Sequence, residues 1–270
     1  MSSSGMSILT RPLARTQPSS LYILSQCRAY RSPFRSHYRG HNDPQSAEPP
    51  AYNATQNADN AFNAALSSNK KWCEHIAQEK PDLFPNLAKG QSPQILWLGC
   101  SDSRAPETTL LGLQPGDVFV HRNIANVFTP NDLSSAAAIT FAVSALKVKH
   151  IVVCGHTSCG GVAATLGAAS KGGVLDTWLA PLRRLRAQLE PGWEKEGTSA
   201  EERSKALIEA NVREGLKAVR ENAFVVDAIK SGALEVHGAV YDVGTGQLKE
   251  LDTAEKEEDK GTREGVFALR

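Results

Sequence analysis

Apolar and polar positions change their period several times along the chain. Over 61–78 the apolar residues Phe62, Leu66, Trp72 and Ile76 recur at roughly helical spacing, which predicts one or two amphipathic helices. Pro81, Pro85 and Gly90 then interrupt the pattern. Ile95-Leu96-Trp97-Leu98-Gly99 is a short apolar run between Pro93 and a polar cluster, the signature of a buried strand. A second strand is expected at Val118-Phe119-Val120, after the turn Gln114-Pro115-Gly116-Asp117. The third, Ile151-Val152-Val153-Cys154, is β-branched and apolar on both faces. The Ala-rich stretch 133–148 reads as a helix, with Asp132 or Ser134 as its cap. Further helices are expected over 160–169, 178–189 and, long and charged, 200–222. The last of these reads most simply as a solvated face, or as a subunit contact. The segments 235–243 and 248–251 alternate like a strand pair around Gly244-Thr245-Gly246.

Apolar strands alternating with helices predict an α/β fold, a mostly parallel central sheet flanked by helices. Ligands of such sheets gather at the carboxyl ends of the strands. Two polar loops sit there: Gly99-Cys100-Ser101-Asp102-Ser103-Arg104 leaves the first strand, and Gly155-His156-Thr157-Ser158-Cys159-Gly160-Gly161 leaves the third.

Composition adds little, with 41% apolar and 22% charged residues being ordinary for a globular protein. No run of about 18 apolar residues predicts a membrane span. The net charge of +1 is more informative once divided. Residues 1–42 hold six arginines and no Lys, Asp or Glu, which leaves 24 basic against 29 acidic residues, five net negative charges, on the remainder. That balance argues against a nucleic-acid surface. An Arg-rich, Ser-rich, acid-free leader has the composition of a mitochondrial transit peptide, so 1–42 is expected to direct the chain to the matrix. The Pro-, Asn- and Gln-rich stretch 43–60 reads as a linker, 61–252 as the folded domain and 253–270 as a C-terminal tail.

Cys27 belongs to the leader, and the other four cysteines (Cys73, Cys100, Cys154 and Cys159) lie in a chain too large to need disulfide staples. In a reducing compartment they are metal ligands or buried thiols. His156 and Cys159 are two residues apart, so one loop presents an imidazole and a thiolate to a single ion, a mixture that suits zinc. Taken alone, an H-x-x-C pair is not specific. Cys100 joins it because both loops close strands of the same expected sheet, and three ligands would leave a fourth position open, as in catalytic zinc sites. Cys154 competes as a ligand but reads better as a buried strand thiol, and Cys73 as a core residue of a helix.

Three segments in order and spacing now carry a resemblance: Cys100-Ser101-Asp102-Ser103-Arg104, His121-Arg122-Asn123-Ile124-Ala125-Asn126, and Gly155-His156-Thr157-Ser158-Cys159-Gly160-Gly161. Over about 61–251 the chain closely resembles the β-class carbonic anhydrases. The resemblance implies an N-terminal helical arm that embraces a second subunit, a homodimer or homotetramer, and one Zn²⁺ per subunit held by Cys100, His156 and Cys159. It implies a lyase that hydrates carbon dioxide reversibly to bicarbonate by zinc-bound hydroxide, with Asp102 and Arg104 orienting or gating the metal-bound water. Family positions place Gln91, Phe119, Ile124, Phe141 and Gly160 around the substrate, with Phe141 standing where Tyr is frequent. Some members bind inhibitory bicarbonate through a Trp, an Arg and a Tyr, which here are Trp97, Arg122 and Tyr241. Two rival readings are a hydrolase of carbon disulfide or carbonyl sulfide on the same site, and a zinc-binding module without activity; the intact Asp102 and Arg104 argue against the second.

Overall fold

The computed structural model describes residues 60–167 and 172–269. The transit-peptide and linker assignments, and Cys27, lie outside the described residues apart from Asn60. Two compact units divide the chain between His75 and Ile76. The described part of the first is most of helix α1 (Ala61–Glu79), none of whose residues is buried.

The second unit is an α/β structure. Its sheet contains β1 (Ile95–Cys100), β2 (Val118–Asn123), β3 (His150–His156), β4 (Glu235–Asp242) and β5 (Gln247–Glu250) in the order β2-β1-β3-β4-β5. The first four are parallel and β5 returns antiparallel on β4, so the expected α/β class with its mostly parallel sheet is the observed one. Register follows the apolar pattern. Leu96 opposes Ile151 and Leu98 opposes Val153, putting all four on one face. There they meet Val212, Leu216 and Val219 of helix α8 (Ala200–Arg220). Each such fully buried aliphatic side chain contributes on the order of 1.5–3 kcal/mol. Trp97, Cys154 and Ala239 point to the opposite face.

Helix α8 is therefore no solvated face. Its buried positions Leu207, Ile208, Asn211, Val212, Leu216 and Val219 recur at three- and four-residue intervals and form a core stripe beneath a charged outer side. A capping box starts it, with Ser199 Oγ accepting from the Glu202 amide and the Glu202 carboxylate accepting from the Ser199 amide. Gly155 lets β3 approach this helix, because a Cβ there would lie 3.0 Å from methyl groups of Ile208 and Val212.

The remaining helices depart from the sequence pattern in detail. Helices α2 (Leu83–Leu87) and α3 (Glu107–Leu110) are single turns. The 133–148 helix is α4 (Leu133–Phe141), capped by Asp132 on the Ser134 amide, and then widens into a π-turn at Ala142–Leu146. α5 covers Gly160–Leu166 and α6 Gly173–Trp178. α7 (Ala180–Glu196) continues through Pro191, beyond the expected end, because Trp193 is buried in the cluster around Leu179, Leu182 and Leu207. α9 (Ala223–Lys230) precedes β4, and the expected tail carries α10 (Glu257–Phe267), whose buried Arg263 binds the Glu255 carboxylate twice at 3.1 Å. No helix among the described residues is long and apolar enough to cross a membrane.

Candidate metal centre

The carboxyl ends of β1 and β3 are neighbours in the sheet, and this pairing unites residues 56 positions apart in the chain. Cys100 is the last residue of β1 and His156 the last of β3, while Cys159 stands one residue before α5. All three are buried, and one ligand atom from each lies within 4.8 Å of the others. A tetrahedral zinc ion with bonds of about 2.0–2.3 Å would set such atoms about 3.5–3.8 Å apart, inside that limit. Ser158 makes the tight turn possible by adopting φ 56°, in the left-handed region.

The donor chemistry fits a metal as well as the spacing does. His156 Nδ1 donates to the Thr157 carbonyl at 2.9 Å, which leaves Nε2 as the bare nitrogen. That Nε2 is buried and has no hydrogen-bond partner among the described residues, a costly condition for a polar atom. The adjoining Cys159 thiol lowers the Cys100 pKa against the opposing effect of burial. The same contact, with burial, raises that of Cys159. Burial depresses His156, but the adjoining Cys100 sulfur outweighs it and the net shift is upward. A divalent cation bound by these three crowded groups would displace the protons they otherwise carry. Cys154, the competing thiol, points to the other face and is pushed up to about 12 by burial.

Beside the three donors lies a second pair. Arg104 donates from Nε to Asp102 Oδ1 at 2.9 Å and from Nη2 to Oδ2 at 2.8 Å, a two-pronged grip, and its amide adds a third bond to Oδ1. Its Nη2 also reaches the Ser158 carbonyl at 3.1 Å, tying one strand-end loop to the other. The guanidinium holds the Asp102 carboxyl well below the usual carboxylate range. Asp102 Oδ2 stops 3.9 Å from His156 Nε2, close to the donors but bound away from them.

A family model described as carbonic anhydrase matches residues 95–248, from the first residue of β1 into β5. The chain belongs to the β-carbonic anhydrase family. It is 41% identical over 204 residues to a carbonic anhydrase of Candida albicans, covering 75% of this chain and 72% of the relative. A β-carbonic anhydrase of Aspergillus fumigatus has 55% identity and a TM-score of 0.74, over 77% of this chain and 99% of that one. A structure of tetrameric β-carbonic anhydrases from Sordaria macrospora has 50% identity and a TM-score of 0.69, over 72% and 98%. Membership makes the chain an enzyme, a lyase of the carbonic anhydrase type.

The other residues named from the family are placed less uniformly. Phe119 and Phe141 pack with ring centroids 5.7 Å apart. Ile124 and Phe141 are nonetheless about half exposed, Gln91 is exposed, and a Cβ on Gly160 would meet nothing within 4 Å. This subunit alone does not enclose that set. Trp97 and Tyr241 share the cluster on the far face of the sheet. Arg122 is spent on backbone, donating to the Cys100 carbonyl at 2.7 Å and the Asp102 carbonyl at 2.5 Å, with Glu107 3.5 Å away. It splints the loop that carries Cys100 and Asp102. Pattern reading passed over Asn211, whose buried amide donates to the carbonyls of Ala125 and Asn126 and holds the left-handed turn there. Its polarity inside an otherwise apolar stripe was the available signal.

Proposed function

We propose that this enzyme hydrates carbon dioxide reversibly to bicarbonate, with zinc held by Cys100, His156 and Cys159 and the open position tended by Asp102. One observation carries the reading: three buried donors converge around an orphaned His156 Nε2, while Arg104 holds the nearby carboxylate off them. Zinc, when bound, supplies the Lewis acidity that makes water a nucleophile at neutral pH. The chain's own part is positional. His156 keeps Nε2 bare by spending Nδ1 on the Thr157 carbonyl. Asp102, ionised through its bond to Arg104, offers a carboxylate oxygen that accepts a proton-bearing neighbour and so orients the attacking water. For Asp102 to become a ligand itself it would have to leave both prongs of Arg104, so the paired arrangement favours an open site. The half-exposed Ile124 and Phe141, with Val120 and Leu133 also exposed along the β2 side, support a homodimer or larger assembly that completes the substrate pocket. The composition of 1–42 supports delivery to the mitochondrial matrix.

Stopped-flow assays on the zinc-loaded enzyme test this reading, with carbon dioxide and carbon disulfide compared side by side. Hydration of carbon dioxide well above the buffer rate is expected. Hydrolysis of carbon disulfide without it would transfer the site to the rival substrate class, and neither activity would overturn the assignment.

A further inference from the structure

A second group of metal-ligating side chains stands at the opposite end of the sheet. His150 opens β3, and Glu235 opens β4 directly beside it in register. His237 is two residues on, so the period of a strand puts its side chain on the same face as Glu235. His150 Nδ1 and His237 Nε2 are 3.1 Å apart. Glu235 Oε2 is 3.7 Å from His237 Nε2 and 4.0 Å from His150 Nδ1. Two imidazole nitrogens on one divalent ion, at about 2.0–2.1 Å each, sit about 2.9–3.4 Å apart in octahedral or tetrahedral geometry. The histidines already have that spacing. The Glu235 side chain is 71% exposed and free to close the remaining half ångström or so.

What separates this cluster from a chance meeting of surface side chains is a fourth residue. Glu250 of β5 accepts from His237 Nδ1 at 2.9 Å. The proton of a neutral His237 is therefore on Nδ1, and its Nε2 lone pair faces His150 and Glu235. A carboxylate that fixes the tautomer of a ligating histidine from behind is the usual outer support of a metal site.

We propose that His150, His237 and Glu235 form a second divalent-metal site, for zinc or an ion of similar nitrogen and oxygen preference, oriented by Glu250. It is separate from the catalytic centre, since His150 and His156 lie at opposite ends of β3, about 20 Å apart at ~3.3 Å per residue. An ion there would clasp the starts of β3 and β4.

The test is metal stoichiometry on the full-length, untagged protein, by equilibrium dialysis against Zn²⁺ and elemental analysis. Two equivalents per chain are expected. The double substitution His150→Gln with His237→Gln should retain one equivalent and unchanged carbon dioxide hydration. Glu250→Gln should keep both ions but weaken the second by ten- to a hundredfold, a readout that survives if the double variant fails to fold. Cys100→Ser should lose the first equivalent and keep the second, so failure of the catalytic assignment is distinguishable from failure of this one. A single equivalent in the natural protein would overturn the proposal, as would two equivalents persisting after both histidines are replaced.

Discussion

A methyl group added at Gly161 gives the most direct test of how the fold positions the metal centre. Gly161 is the second residue of α5, two positions after Cys159, and a Cβ on it would fall 2.6 Å from the Cβ of Ala125. Ordinary carbon–carbon contact is about 3.5–4.0 Å, so the Gly161→Ala variant has to open a gap of about 1 Å. Neither side yields easily. Ala125 is 1% exposed, sits at φ 60° and has its carbonyl held by Asn211, while Cys159 is buried in the same cluster as Ala125. Overpacking of this kind costs about 1–3 kcal/mol. For a unit of this size, about 2–4 °C of Tm per kcal/mol gives a loss of about 2–12 °C. Calorimetry of zinc-loaded protein reads the loss, and carbon dioxide hydration should fall with it as Cys159 moves. Adding Ala125→Gly removes the opposing methyl and suits the left-handed backbone, so the double variant should recover much of both. A Gly161→Ala protein with unchanged Tm, or a double variant no better than the single one, would refute the reasoning.

Other consequences are checked individually. Asp102→Asn should lower hydration ten- to a hundredfold with the fold intact, the loss typical when a supporting polar partner at a metal site is removed. Because its folded pKa is depressed, the stabilisation from Asp102 is complete above the unfolded value near ~4 and is lost only as pH falls through the lower folded value. The natural enzyme should accordingly show no Asp102-linked change in stability between pH 6 and 8, which denaturant titration at several pH values reads. Cys154→Ala should keep full zinc content and activity, since that buried thiol stays protonated and points away from the donors, and alkylation of the folded protein should leave Cys154 unmodified. Asn211→Leu should strand the carbonyls of Ala125 and Asn126 and cost about 1–3 kcal/mol for each, measured by urea unfolding.

The legible parts of this chain were those written in short-range pattern. Strands β1 and β3 were visible because burial on both faces demands unbroken apolar runs, and the β4–β5 pair because Gly244-Thr245-Gly246 marks its turn. Gly-Gly at 160–161 and the Ser199–Glu202 box announce helix starts, but α10 and the single turns α2 and α3 have no comparable signal. Pro85 sits in the first turn of α2, where a missing amide costs nothing, yet in the sequence it reads as a break. Charge obscured α8, whose polar outer side dominates its composition although a third of the helix is core. At the site, residue types and strand-end placement suggested the three donors, and the resemblance to the β-carbonic anhydrases supplied the Asp–Arg pair. They did not reveal that Arg122 is consumed by two backbone carbonyls, because a side chain's partners 20 residues away depend on the register of β1 against β2.

The pairing of β1 with β3 also orders events in the life of the molecule. During synthesis Cys100 emerges well before His156 and Cys159, and on its own no segment offers more than two of the donors. Only when the two strands dock, as Leu96 meets Ile151 and Leu98 meets Val153, does a three-donor nest exist. A metal held by all three donors would thus be acquired late in maturation, after the hydrophobic core has closed. A nascent or damaged chain whose sheet has not closed would bring at most two of the three donors together, so the site would discriminate folded copies from unfolded ones.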